Sequence, residues 1–351
     1  MTMVRSPTRI VALDGLRAVA ICGVLAAHAV DTTVTDELGS LGVSLFFVLS
    51  GFLITSLLLG EQARTATIDL RQFYLRRFRR IFPAYYLFLI VIGGTTIAGL
   101  THVDPWAFVY DALYLRNYAF HVPPDWWTGH SWSLCIEEQF YCIWPVVLLL
   151  LGTRFGWRFA IACILGAPVL RVATYVLLPH YRTFIDVMLP TRIDMLMFGC
   201  ALAMLIARSP ETLARLSRTR LRITVVVLAA AVLVGIGLSV RFHGMYTFVI
   251  GYTLIGCAGA ALIWYLVRYP QSMVGRFLCL RPVAWLGRIS YSLYLWQQVF
   301  LTPGLNQTIS GRFPFNLAAS IAVAAASYYL VERRFFSAVP ARIGTTESSV
   351  A

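Results

Sequence analysis

The chain predicts an all-α, polytopic integral membrane protein of about ten transmembrane helices, and three observations carry that prediction. Of its 351 residues 59% are hydrophobic and only 13% charged, against about a quarter charged in soluble domains. The mean hydropathy is +0.73. Charge-poor runs recur at the roughly 17 to 25 residues needed to cross about 30 Å of hydrocarbon. A soluble core has no means of hiding so much apolar surface.

The runs fall at 11–29, 40–59, 82–100, 133–151, 159–178, 192–207, 222–240, 246–266, 286–302 and 316–332. Short connections predict one transmembrane domain over 1–340 with no appended soluble domain, followed by a disordered polar tail at 341–351. The first run carries Asp14 and Arg17 and lacks a small-residue cleavage site, so it is expected to stay as a helix rather than leave as a signal peptide. The formal net charge of +13 is spread in clusters between apolar runs, as orientation signals are, and does not point to nucleic acid. Every basic residue is Arg. With Met1 inside, 22 of the 29 arginines fall on the cytoplasmic side, which predicts ten spans with both termini cytoplasmic. Seven cysteines, mostly within apolar runs, have no metal-ligand spacing and are read as small hydrophobes, with no metal expected.

An ionisable group in hydrocarbon costs at least a few kcal/mol, so each one is a candidate site. In the first run Arg17 and His28 are eleven residues apart, about 16 Å of rise and about three turns, which puts them on nearly one face. A neutral imidazole suits a general base; a His bonded to a neighbouring helix is the plainer alternative. Arg17 can likewise snorkel to the surface with Asp14 as partner. The stretch 69–83 has apolar residues at 70, 73, 74, 78 and 81 behind Asp69 as N-cap, an amphipathic helix expected on the cytoplasmic face before the third span. Its arginines can enforce topology or hold lipid heads, and Arg77 with Arg80, at i and i+3, can also clamp a phosphate-rich ligand such as coenzyme A. Around the start of the fourth run, Trp126, Trp127 and Trp132 fit an interfacial aromatic belt. Ser133, Glu137, Tyr141 and Trp144 share a face, so Glu137 points inward, able to orient a histidine, while Glu138 caps or is solvated. A first-turn acid favoured by the helix dipole explains Glu137 as well.

Taken together, the motifs resemble the membrane-bound acyltransferase-3 family, which includes polysaccharide O-acetyltransferases and macrolide O-acyltransferases. They occur in family order: Leu13-Asp-Gly-Leu-Arg-Ala18 followed by His28, then Gly42 to Ile54, then Phe-Tyr-x-Arg-Arg-x-x-Arg-Ile-x-Pro at 73–83, Trp-Ser-Leu-x-x-Glu-Glu-Gln-Phe-Tyr at 132–141, and Leu-Gly-Arg-Ile-Ser-Tyr-Ser-Leu-Tyr-Leu-Trp at 286–296. The resemblance implies function for Arg17 with His28 and for Arg77 with Arg80, and it aligns Glu332 with a family glutamate. Where relatives commonly have His after the Tyr-Leu-Trp, this chain has Gln297, so the burden of a base falls on His28. Many relatives also append an esterase-like periplasmic domain, which is not expected here.

The implied activity is transfer of an acyl group, acetyl first, from acyl-CoA to a hydroxyl of a carbohydrate, a lipid-linked sugar or a glycosylated small molecule such as a macrolide. The catalytic set is His28, Arg17 and Glu137, with Arg77 and Arg80 on the coenzyme, in a multi-pass protein of the bacterial inner membrane. A transporter or flippase is the rival from a different class, since intramembrane Arg and His also line transport pathways; no inverted repeat supports it.

Overall fold

The computed structural model describes residues 10–30, 32–209, 217–242, 246–302 and 311–337. Both termini, and with them the tail predicted to be disordered, lie outside the described residues. Every regular element among them is helical: α1 (Val11–Ala29), α2 (Thr33–Thr65), α3 (Leu70–Ile97), α4 (Pro105–Ala112), α5 (Trp132–Leu177), α6 (Leu189–Arg208), α7 (Arg218–Phe242), α8 (Tyr252–Arg268), α9 (Met273–Leu278), α10 (Arg281–Arg288), α11 (Ser290–Phe300), α12 (Phe315–Ser327) and α13 (Arg333–Ser337), with short 3-10 and π-helical turns between some of them. In hydrocarbon a helix satisfies every backbone polar group within its own segment, which is why apolar runs of this length take no other form.

Local chemistry sets the ends. Thr32 caps α2, exchanging hydrogen bonds with Thr35. Asp69 accepts the Gln72 amide at 2.9 Å to start α3, and Asp104 accepts the Trp106 amide at 2.8 Å with Pro105 opening α4.

Among the described residues eight helices are long and apolar enough to cross a membrane, and the difference from ten runs has two causes. The runs 133–151 and 159–178 belong to the single stretch α5, broken at Gly152, whose φ of 62° and ψ of 179° stop the helical path. The run 286–302 is divided at Ile289 into α10 and the 11-residue α11, which rises only about 16 Å, half a bilayer. The surface helix expected over 69–83 is not separate either: α3 runs unbroken from Leu70 through Pro83 to Ile97.

Half-buried α1 packs against α2, α8, α9, α10 and α11, and α2 also packs along α6. The α2–α6 crossing brings backbones together, since a Cβ on Gly51 would collide with the Leu196 carbonyl and one on Gly199 with the Val48 carbonyl. Arg171 ties the second half of α5 to α6 with an Asp194 ion pair at 2.9 Å, both side chains fully buried. Its remaining donors reach the carbonyls of Thr191, at 2.6 Å, and Phe248, at 2.9 Å. Arg171 is therefore a satisfied structural charge.

Candidate functional site

Two cavities adjoin at the centre of the bundle. The first gathers residues from five helices: Arg17 of α1, Ser50 of α2, Arg77 and Arg80 of α3, Glu137, Glu138 and Tyr141 of α5, and Tyr291 of α11. The i, i+3 spacing turns Arg77 and Arg80 toward it, while Arg76 points away to an ion pair with Glu61 at 2.9 Å. Arg77 lies 5.7 Å from the ring centres of both Phe73 and Tyr141, which hold its guanidinium by cation–π contact. The Arg17 Nε is buried without a hydrogen-bond partner. Three guanidinium groups thus face two cavity-lining carboxylates in a low-dielectric setting, an arrangement that favours an anionic ligand. Glu332, within a π-helical turn at Tyr328–Glu332, is buried nearby and accepts from Ser292 at 3.2 Å.

Glu137 does not reach His28. Its carboxylate accepts the Ser50 hydroxyl at 2.8 Å and the Tyr141 hydroxyl, one turn on, at 3.1 Å. Orienting a histidine is therefore not its work, and the expectation that it does so is corrected by these partners. Glu138 is buried at 8% exposure rather than capping or solvated, because it lies nearly two turns into α5, against the arginine cavity, and not at the helix end.

The second cavity is the larger and holds His28, with Asp36 and Ser40 of α2, Asp125, Trp126 and His130 of the segment before α5, Asp186, Arg192 of α6, Tyr252 of α8 and Gln298 of α11. His28 is half-buried and bracketed by two amides. Nδ1 lies 2.8 Å from the Gln297 Oε1, and Nε2 lies 3.4 Å from the Gln298 Nε2. Trp126 stands edge-on to the imidazole at 5.6 Å, its indole N–H donating to the Gln298 carbonyl at 2.9 Å. Trp126 and Trp132 face this cavity, beyond the interfacial-belt role that tryptophan near a span usually has. The loop carrying Trp126 is fixed by the Asp125–Arg116 ion pair and by the Thr128 amide donating to Asp125 at 2.7 Å. Arg192 lies 3.9 Å above the Tyr252 ring and donates to Ser44 at 2.9 Å.

Val43 and Tyr294 line both cavities. Tyr294 is fixed there by a 2.6 Å hydrogen bond with Ser133 and by donating to the His130 carbonyl at 2.9 Å. One wall therefore separates a cationic chamber from a chamber containing an imidazole.

A family model described as an acyltransferase domain matches residues 10–332, nearly the whole chain. The chain belongs to the acyltransferase-3 family. It is similar to O-acetyltransferase OatA of Staphylococcus aureus, 31% identical over 333 residues that take in 88% of this chain and 53% of that protein. It is also similar to peptidoglycan O-acetyltransferase OatA of Listeria monocytogenes, 29% identical over 358 residues, 91% of this chain and 54% of that one. The chain spans about half the length of these curated relatives. No solved structure matches it.

In this acyltransferase-3 chain the residues singled out from sequence fall into both chambers: Arg17, Arg77, Arg80 and Glu137 in the first, His28 in the second. Sequence reasoning singled out Gln297 only as the replacement of a family histidine, and missed it and Gln298 as neighbours of the imidazole, Trp126 as a further neighbour and Tyr294 in the shared wall. Two adjacent amides in an otherwise apolar helix were the available signal, because side-chain amides in a membrane need partners as charges do.

Proposed function

We propose that the protein is a membrane-bound O-acyltransferase that moves an acyl group, acetyl first, from acyl-CoA to a hydroxyl of a carbohydrate. The observation that carries the reading is the shared wall of Val43 and Tyr294 between the arginine cavity and the histidine cavity. The names of the relatives, one of them a peptidoglycan O-acetyltransferase, support a glycan acceptor.

On this reading the arginine cavity opens toward the cytosol, as the arginine bias between the apolar runs favours. Arg77 and Arg80 bind the phosphates of the coenzyme, and Arg17, balanced by Glu137, faces the thioester end. The acceptor enters the histidine cavity, where aromatic faces and the carboxylates of Asp36 and Asp186 suit a polyhydroxyl ring. His28 removes the proton of the attacking hydroxyl, whose oxygen forms a bond to the thioester carbonyl carbon. The carbon–sulfur bond then breaks, and the coenzyme thiolate takes up the proton from the imidazolium, leaving an ester and free thiol.

Purified protein in vesicles, given labelled acetyl-CoA and a membrane glycan fraction, should place label on the glycan. His28→Ala should lower that transfer by about 10² to 10⁴-fold while the protein stays folded. A transporter would leave no label on any acceptor, and wild-type turnover by His28→Ala would remove the base assignment.

A further inference from the structure

We infer that Gln297 is a positioning residue for His28: its side-chain oxygen keeps the hydrogen on Nδ1 and leaves Nε2 as the atom that takes the acceptor's proton. This rests on the acyl-transfer reading above and deepens it. Gln297 is 0% exposed, where an amide is costly unless bonded. Its Oε1 lies 2.8 Å from the His28 Nδ1, and its own Nε2 has no partner. Among the described residues the hydrogen bond to His28 is therefore the one that its side chain makes.

An amide oxygen only accepts, so Nδ1 carries the hydrogen and Nε2 carries the lone pair. The neighbouring amide agrees, since the Gln298 Nε2 can only donate and approaches the His28 Nε2 at 3.4 Å. That approach is long for a hydrogen bond, so a substrate hydroxyl can displace it. Trp126 packs against the ring at 5.6 Å, and the imidazole still lines the cavity. The reversed orientation of the Gln297 amide would put the hydrogen on Nε2 and abolish the base.

The ionisable groups that share the cavity with His28 are Asp36 of α2, Asp125 and His130 before α5, Asp186 and Arg192 around the start of α6, Tyr252 of α8 and Tyr294 of α11. On α1 itself the nearest are Cys22, which is exposed, and Arg17, three turns away. None of them occupies Nδ1, which belongs to Gln297.

The test is the pH dependence of labelled acetyl transfer in vesicles for wild type, Gln297→Leu and Gln297→Glu, with folding followed by the thermal midpoint. Gln297→Leu should lose on the order of 10² to 10⁴-fold in kcat, with the KM for acetyl-CoA within about twofold, because the arginine cavity is untouched. Gln297→Glu can only accept when ionised, so it should keep activity within about tenfold of wild type and move the acid limb of the profile to higher pH by about one unit. Wild-type kcat in Gln297→Leu overturns the proposal. So does a folded Gln297→Glu as inactive as the leucine variant, or one with an unmoved acid limb; if Gln297→Leu fails to fold, the glutamate profile alone decides. No transfer by wild type would instead overturn the acyl-transfer reading, and this proposal with it.

Discussion

Arg76 and Arg77 are adjacent in sequence and differ in everything else. Arg76 ends in an ion pair with Glu61, whereas Arg77 turns over Phe73 and Tyr141 into the arginine cavity with Arg80. Removing a charge-assisted hydrogen bond to phosphate should cost about 1.5 to 3 kcal/mol. Arg77→Met and Arg80→Met should therefore each raise the KM for acetyl-CoA by about tenfold or more, and Arg76→Met should leave it within about twofold; steady-state kinetics over acetyl-CoA concentration check both. Asp111 of α4, outside the spans, is a residue-scale feature of another kind. It is fully buried, one carboxyl oxygen takes the Ser131 hydroxyl and the other has no partner. Burial pushes its pKa up to about 7. The folded state thus holds this proton more tightly than the unfolded chain does, so the contribution is full below the unfolded value near 4 and declines as pH rises to about 7. Asp111→Asn should lessen the fall of the thermal midpoint between about pH 4 and pH 7 relative to wild type; an unchanged slope would contradict it.

At the scale of elements, the α2–α6 crossing depends on Gly51 and Gly199, whose missing side chains let the backbones meet. Gly199→Leu should destabilise by about 1 to 3 kcal/mol or more through overpacking, seen as a lower thermal midpoint in detergent, whereas a substitution at Gly60, which has open space around it, should leave the midpoint nearly unchanged. The helices and the charged site residues were legible in sequence for one reason: in a chain this apolar, Arg17, His28, Arg77, Arg80 and Glu137 are conspicuous against hydrocarbon. Periodicity gives a face but not the neighbour across it. The partner of His28 lies 269 positions away at Gln297, and the partner of Glu137 lies 87 positions back at Ser50. Nor does hydropathy see a break where both sides are apolar, as at Gly152, or a division as local as the single residue Ile289 between α10 and α11.

For the molecule as a whole, the consequence is directional. Central α1 carries Arg17 to one cavity and His28 to the other, and the other helices place further cationic side chains at the first and aromatic and carboxylate groups at the second. On the proposed function, a donor and an acceptor that approach from opposite faces need never share an entrance; they meet at the small wall of Val43 and Tyr294, and transfer is vectorial across the membrane. Vesicles of defined orientation test this most directly, with labelled acetyl-CoA supplied only to the face at which α3 begins and the glycan acceptor confined to the opposite face. The account predicts labelled glycan in that arrangement and none when acetyl-CoA is supplied only to the other face. Equal labelling from either face, in sealed vesicles of verified orientation, would contradict it.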